Sequence, residues 1–338
     1  MKYFSLFSGI GGFELGIKHA YENNHNRRGE NREPKEKFWS SEENLLNSRN
    51  QSNNISSDGD GGRIRPICVG FSEIDKYATE VYQKNFNHKD YGDITKINEK
   101  ELPDFDLLVG GFPCQSFSIA GKRGGFTDTR GTMFFEIARI VREKQPRLLL
   151  LENVKGLLSH DKGQTFHTII TTLDELGYDL QWQVLNSKNH GVPQNRERVF
   201  IIGHLRGTNR PQVFPIGETN NSSIKISKRG KHQQDIVYRT DGIMGTLAAG
   251  THASTPHLTK IQQLNKPKHS NTGGPSARNG QKLVNGTSIR RLTPTECERL
   301  QGFPDRWTEG LSDTQRYKTL GNAVTVNVIK AIIEKLLN

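Results

Sequence analysis

Residues 108–118 constrain the fold more than any other segment, because an apolar run there breaks at two glycines and continues into Pro-Cys. The mostly apolar residues 105–109 predict a buried strand, and Gly-Gly predicts a loop whose backbone can approach a ligand. Pro113 then restricts the backbone beside Cys114. A lone cysteine is more often a small buried hydrophobe. These flanks instead favour a thiol at the carboxyl end of a strand, where open α/β sheets bind ligands.

The same succession of strand, turn and helix is predicted at the amino terminus. Residues 2–6 are typical of a strand, Gly9, Gly11 and Gly12 form a glycine-rich turn, and a helical pattern follows. Such a turn brings backbone N–H groups close to a nucleotide. The spacing Gly-x-Gly-Gly differs from the Gly-x-Gly-x-x-Gly of dinucleotide sites, so a plain tight turn is the alternative.

A second strand is predicted at 66–71 and a helix at 76–86, with two acidic residues between them. Glu73 closes the strand, where a carboxylate can accept hydrogen bonds from ribose hydroxyls. Asp75 is better explained as the N-cap of the helix. Helices at 133–143 and 165–176 and strands at 147–151, 178–186 and 199–202 complete an α/β pattern.

Charged residues also flank the later strands. Glu152 follows residues 147–151 and should reach the same sheet edge as Cys114, although a structural carboxylate that caps the next turn is the alternative. Arg196 and Arg198 lie two residues apart at the start of a strand, so we expect them to point the same way. Paired surface charges are the alternative interpretation of the two arginines.

The positive charge is concentrated in one part of the chain. The net charge is +11, and residues 205–290 contain 13 Lys and Arg but only 3 Asp and Glu. A polyanion-binding segment beside a nearly neutral enzyme domain explains this asymmetry better than a solvated basic face. We therefore predict a catalytic domain at 1–204, a small, irregular, mostly β domain at 205–290 and a returning segment at 291–338. Within that segment we predict one helix over 290–304 and another that opens at 317–324 and reaches 337.

Residues 22–65 are rich in Asn, Ser, Gly, Arg and Glu and poor in apolar residues. This composition predicts a long, largely disordered insertion. It is either a passive loop or a contact to DNA or a partner.

Cysteine usage and hydropathy limit the compartment. Three scattered cysteines suggest neither a disulfide framework nor a metal site and fit a reducing compartment. No apolar run approaches the ~20 residues of a membrane helix, and the apolar start ends too soon for a signal peptide. We expect a cytoplasmic, nucleoid-associated protein that does not enter membranes.

Several motifs occur together, and their order resembles that of the motifs in the DNA (cytosine-5)-methyltransferase family. They are Gly-x-Gly-Gly at 9–12, Gly-Asp-Ile at 92–94, Pro-Cys-Gln at 113–115, Glu-Asn-Val at 152–154, Gln-x-Arg-x-Arg at 194–198, Thr-Leu at 246–247 and Gly-Asn-Ala-Val at 321–324. The resemblance covers nearly the whole chain apart from the insertion and most of the basic segment. It implies a Rossmann-like sheet that binds S-adenosyl-L-methionine (AdoMet), with a target-recognition domain inserted before the chain returns to the first strand.

The resemblance also implies which residues act. The catalytic set is Cys114, Glu152, Arg196 and Arg198. The AdoMet-binding set is Phe7, Gly9, Gly11, Gly12, Glu73, Ile74, Asp93, Ile94, Pro113, Asn322 and Val324. The DNA-binding set is Gln115, Ser118, Lys122, Arg123, Arg239 and Thr246, of which Lys122 and Arg123 lie in a predicted mobile loop over 120–131.

The chemistry of cytosine methylation explains why such residues are needed. Carbon 5 of cytosine is a poor nucleophile, and addition of the Cys114 thiolate to carbon 6 activates it. Glu152 would stabilise the ring through nitrogen 3, and Arg198, with Arg196, through the carbonyl oxygen. A stacked base is out of reach, so the target must be flipped out of the duplex.

Partners and alternatives follow from the same resemblance. No regulatory domain precedes the catalytic one, so we expect a prokaryotic modification enzyme, monomeric on double-stranded DNA, with a separate cognate restriction endonuclease. An RNA cytosine-5 methyltransferase of the same fold, a catalytically silent DNA-binding module and a nicotinamide oxidoreductase are the alternatives.

Overall fold

A computed structural model describes residues 1–27, 66–113, 133–208, 211–217 and 291–337, together with the backbone of short strands between 225 and 290. Six longer strands form one sheet: β1 (Lys2–Leu6), β2 (Ile67–Ser72), β3 (Leu107–Gly111), β4 (Leu148–Val154), β5 (Tyr178–Asn186) and β7 (Glu197–Leu205). The order across the sheet is β2-β1-β3-β4-β7-β5. The first four neighbours are parallel, and β7 runs antiparallel between β4 and β5.

Helices pack against the sheet, and most of them come directly after one of its strands in the sequence or lie in the returning segment. They are α1 (Gly12–Arg27), α2 (Lys76–Asn85), α3 (Met133–Lys144), α4 (Gln164–Glu175), α5 (Pro294–Gln301), α6 (Asp313–Asn322) and α7 (Val326–Leu336). The predicted strands and helices before residue 205 are confirmed to within a few residues. Asp75 caps α2, as predicted, by accepting hydrogen bonds from the amides of Tyr77 and Ala78. No helix in the described ranges is both long and apolar enough to cross a membrane.

Two apolar layers lie on the two faces of the sheet. Along β1, Phe4 and Leu6 join one layer and Tyr3 joins the other, as the two-residue period of a strand requires. The central strands β3 and β4 are buried on both faces, which explains their nearly continuous Leu and Val runs. The carboxyl ends of β1 to β4 therefore meet at one edge of a rigid sheet.

The returning segment packs against the amino-terminal helix. Helix α5 has a capping box between Thr293 and Glu296, and it ends at Gly302 with a left-handed φ of +80°. The Trp307 indole donates a hydrogen bond of 2.9 Å to the carbonyl of Ile10. A Cβ atom on Gly16 would lie 2.6 Å from Ile329, so α1 and α7 approach unusually closely.

The prediction of one apolar helix that opens at 317–324 and reaches residue 337 is wrong. The chain forms α6 and α7, separated by residues 323–325 in extended conformation. Helix α6 begins at Asp313, four residues earlier than the predicted opening. The carbonyls at the end of α6 bond to side chains from other segments, and this packing stabilises the break.

Short strands occupy the region predicted as mostly β. Five of them are β8 (Lys225–Lys228), β9 (Ile236–Arg239), β11 (His257–Lys260), β12 (Lys282–Val284) and β13 (Thr287–Arg291). They form a sheet in the order β12-β13-β11-β9-β8. A sixth, β10 (Met244–Gly245), pairs with β6 (Gln194–Asn195) just before β7. The prediction for residues 22–65 is wrong in its first residues, which continue α1 to Arg27; residues 28–65 lie outside the described residues.

Candidate active site

The turn after β1 has the conformation that its glycines predict. Gly9 and Gly11 adopt left-handed φ angles of +55° and +87°, and Phe7 adopts +52°, which is unusual for a bulky side chain. A Cβ atom on Gly11 would overlap Phe86, at 2.3 Å. A side chain at Gly11 would therefore clash with Phe86, and the left-handed φ angles favour glycine at both Gly9 and Gly11.

Glu73 links this turn to the end of β2. One carboxylate oxygen accepts a hydrogen bond of 2.8 Å from the amide of Gly9, and the other accepts bonds from the amides of Ile74 and Asp75 at 2.9 and 2.8 Å. Burial raises the pKa of Glu73, and these amide bonds partly oppose the rise. The predicted ribose-binding acid thus lies beside the glycine turn.

The two isoleucines predicted to contact the cofactor differ in exposure. Ile74 is 74% exposed, which is unusual for a large apolar side chain at a sheet edge. Ile94 is 2% exposed and belongs to the core, so its side chain is unavailable and only its backbone could contact a ligand. The Asp93 carboxylate accepts bonds from the amide and hydroxyl of Thr95, and it keeps a third of its surface exposed.

The returning segment reaches the glycine turn from the other end of the chain. A Cβ atom on Gly12 would lie 2.7 Å from a methyl group of Val324 and 2.9 Å from its carbonyl oxygen. Asn322, two residues earlier, is exposed. The structure therefore brings predicted AdoMet-binding residues from both ends of the sequence to one place.

A carboxylate and a guanidinium lie at the ends of β4 and β7. The Arg198 Nε atom is 3.1 Å from a carboxylate oxygen of Glu152, and the side chains are 16% and 11% exposed. A Cβ atom on Gly111 would lie 3.1 Å from the other carboxylate oxygen, so the glycine at the end of β3 leaves room for Glu152. The buried Asn153 amide donates a bond of 2.9 Å to the carbonyl of Phe112. Asn153 was not predicted as a site residue, although it fixes the backbone that leads to Pro113 and Cys114.

The expectation that Arg196 and Arg198 act together on the base is not supported for Arg196. Its side chain is 2% exposed and donates to the carbonyls of Gly321 and Ala323 at 3.2 and 2.8 Å. Burial, followed by the charge of Arg198, lowers the pKa of Arg196 to about 9. The two arginines differ because Arg196 lies in the break between β6 and β7, where the strand period does not apply.

Several predicted residues lie where the structure gives no side-chain position. Pro113 is exposed and is the last described residue before Cys114. Arg239 ends β9, of which only the backbone is described. The other residues, outside the described ranges, are Cys114, Gln115, Ser118, Lys122, Arg123 and Thr246.

Comparison with known proteins points to one family. The family model described as C-5 cytosine-specific DNA methylase matches residues 62–272 and 216–338. The Type II methyltransferase M1.ScrFI of Lactococcus lactis subsp. cremoris is 41% identical over 288 residues, which is 79% of this chain and 71% of that protein. The Type II methyltransferase M.HhaI of Haemophilus parahaemolyticus is 39% identical over 283 residues, 78% of this chain and 86% of that protein.

Solved structures support the same fold. A DNMT2 mutant from Spodoptera frugiperda superimposes with a TM-score of 0.66 at 18% identity, over 100% of this chain and 99% of that chain. The Dnmt2 methyltransferase of S. pombe superimposes with a TM-score of 0.61 at 19% identity, over 100% of this chain and 98% of that chain. The Rossmann-like methyltransferase sheet predicted from the sequence is thereby confirmed.

Proposed function

Because the chain belongs to the C-5 cytosine-specific DNA methylase family, we propose that it methylates a flipped-out cytosine of double-stranded DNA with AdoMet, through a covalent bond to Cys114. The Type II methyltransferases among its relatives support a role as the modification half of a restriction–modification system, with a separate endonuclease. The observation that carries the proposal is the Glu152–Arg198 pair, which lies at the sheet edge where β3 ends just before Pro113 and Cys114.

The residues at this edge fit AdoMet. The glycine turn is partly exposed at Gly9, Glu73 provides carboxylate oxygens for a ribose, and the exposed Ile74 offers an apolar surface for an adenine. When bound, AdoMet supplies a methyl group on a sulfonium as the electrophile. Asn322 and Val324 would close the site from the returning segment.

Cys114 is the one cysteine suited to be the nucleophile. The chain has three cysteines, and burial raises the pKa of both Cys68 and Cys297 to about 12. Those two thiols remain protonated at neutral pH, and thiolates rather than thiols attack. Cys114 follows Pro113 in the sequence, soon after β3 ends at Gly111, and the Arg198 guanidinium at the end of β7 would favour its thiolate.

The described side chains can stabilise the base at two positions. As the Cys114 sulfur bonds to carbon 6, electron density moves onto the ring. The Glu152 carboxyl would hold a proton at nitrogen 3, and Arg198 would donate hydrogen bonds to the carbonyl oxygen. After carbon 5 gains its methyl group it would give up its proton to a water molecule, and the electron pair of that C–H bond would restore the ring double bond and expel the thiolate.

Methylation of genomic DNA, read by bisulfite sequencing, tests both reaction type and target. We expect protected cytosines in one short sequence, with no transfer to tRNA offered in parallel. Cys114→Ser should abolish transfer and keep duplex binding, whereas Cys68→Ser, matched in chemistry, should retain transfer. Full activity of the Cys114 variant, or label on tRNA alone, would refute the proposal.

A further inference from the structure

The end of helix α6 depends on side chains from outside the helix. The last carbonyls of a helix have no partner within it. Here the carbonyl of Leu320 accepts a bond of 3.0 Å from the Gln301 amide, and the carbonyls of Gly321 and Ala323 accept bonds from the two terminal nitrogens of Arg196. The Arg196 fork therefore holds the residues on both sides of Asn322.

Arg196 suits this position in charge and in rigidity. A positive charge is favourable at the carboxyl end of a helix, where the helix dipole is negative. The backbone of Arg196 is itself fixed, because its amide donates to the Asn186 side chain at 3.1 Å and its carbonyl accepts from the amide of Ser187 at 3.0 Å. The guanidinium is thus a stiff connection rather than a mobile surface charge.

The connection joins two parts of the candidate active site. On one side, the same short segment carries Arg198, which pairs with Glu152. On the other side, Asn322 and Val324 belong to the AdoMet-binding set, and Val324 packs so closely on Gly12 that a Cβ atom there would lie 2.7 Å away. A shift of residues 321–324 would therefore change the wall of the cofactor site.

We propose that Arg196 is a positioning residue, which holds the AdoMet-binding segment 321–324 against the segment that carries Arg198. This inference rests on the proposed function, because it requires that residues 321–324 bind AdoMet. It assigns the two arginines of the Gln-x-Arg-x-Arg motif to different tasks. Arg198 faces the carboxylate of Glu152, and Arg196 contacts neither the base nor the cofactor.

Binding of AdoMet without DNA, measured by isothermal titration calorimetry, separates these tasks. Arg196→Met removes both hydrogen bonds and should raise the Kd for AdoMet about tenfold or more, since bonds to charged groups are strong. The KM for AdoMet should rise in parallel, while kcat at saturating AdoMet changes much less. Arg198→Met should do the reverse, with a large loss of kcat and an unchanged Kd.

Gln194→Leu provides the matched control. Gln194 lies in the same motif, is fully buried, and donates a bond of 3.1 Å to the carbonyl of Leu300 in α5 rather than to residues 321–324. The midpoint of urea unfolding should be lower for this variant than for the wild type, while the Kd for AdoMet stays unchanged. An equal rise in Kd for Gln194→Leu would show that any loosening of the return segment suffices, and would overturn the inference.

Two further outcomes are decisive. If the wild-type protein does not bind AdoMet, the proposed function fails. If the wild type binds and Arg196→Met binds equally well, only the positioning role fails. Should Arg196→Met not fold, Arg196→Gln keeps one donor and must still raise the Kd several-fold; an unchanged Kd in that variant refutes the role.

Discussion

A buried cluster beneath the glycine turn leads to a prediction about how stability depends on pH. Glu14 is 2% exposed, and one of its oxygens accepts a hydrogen bond of 3.1 Å from the Tyr82 hydroxyl. The same hydroxyl lies 2.9 Å from Nδ1 of the half-buried His88. Burial raises the pKa of Glu14 from 4.5 to about 7 and lowers the pKa of His88 from 6.5 to about 4. Both side chains are therefore neutral in the folded protein between about pH 4 and pH 7.

The two groups change the free energy of unfolding in opposite directions. Unfolded chains ionise Glu14 above pH 4.5, so its contribution is fully present below that pH and is lost as the pH rises to about 7. Unfolded chains protonate His88 below pH 6.5, so its contribution is lost as the pH falls towards about 4. At about 1.36 kcal/mol per pH unit, each shift amounts to roughly 3 kcal/mol. Between pH 4.5 and 6.5 the two slopes cancel.

Isosteric variants should expose each slope separately. Glu14→Gln removes the contribution of Glu14, so its stability relative to the wild type should rise by roughly 3 kcal/mol from pH 4.5 to about 7. His88→Asn removes the contribution of His88, so its stability relative to the wild type should fall by a similar amount from about pH 4 to 6.5. Urea unfolding at one-unit pH steps gives each curve, and subtraction of the wild-type curve removes the groups that the proteins share.

The exposed carboxyl of Glu309 offers the control, and Glu309→Gln should run parallel to the wild type. If the Glu14→Gln curve also runs parallel, Glu14 is ionised in the folded protein and the reasoning about its burial is wrong.

Two further substitutions test residues of the proposed cofactor site. Glu73→Ala removes the acceptor for three backbone amides. It should raise the Kd for AdoMet at least tenfold with little change in DNA affinity. An unchanged Kd for AdoMet would show that Glu73 is only structural. Gly12→Ala places a methyl group 2.7 Å from Val324 and should lower the free energy of unfolding by about 1–3 kcal/mol in urea melts. Gly217→Ala, where a Cβ atom would meet no described atom within 4 Å, should be nearly neutral, and equal losses in the two variants would contradict the overpacking argument.

The strands and the first helices could be predicted because their signals are local. The central strands β3 and β4 are buried on both faces, so their sequences are almost entirely apolar and bounded by Gly or by polar residues. The capping box of α5 is likewise a property of four adjacent residues. At such positions propensity and tertiary packing favour the same structure.

The break between α6 and α7 and the position of Arg196 could not be predicted for the opposite reason. Residues 321–325 contain no proline, and the apolar residues around them continue a helical pattern. The break forms because the end of α6 finds partners in Gln301 and Arg196, which are distant in sequence. The orientation of Arg196 in turn depends on where β7 begins, and a strand boundary is uncertain by a few residues from sequence alone.

The same topology explains why a long insertion is compatible with the site. Helix α1 begins at the glycine turn and runs back along the sheet, and β2 begins beside Lys2, at the amino end of β1. The end of α1 and the start of β2, which flank residues 28–65, therefore lie at the edge of the sheet opposite Gly9, Glu73 and Glu152. Because loop closure costs little extra free energy as a connection lengthens, length added there need not disturb the ends of β1 to β4. The proposed cofactor-binding residues depend instead on the contacts between α1, α7 and residues 321–324, which join the two ends of the chain.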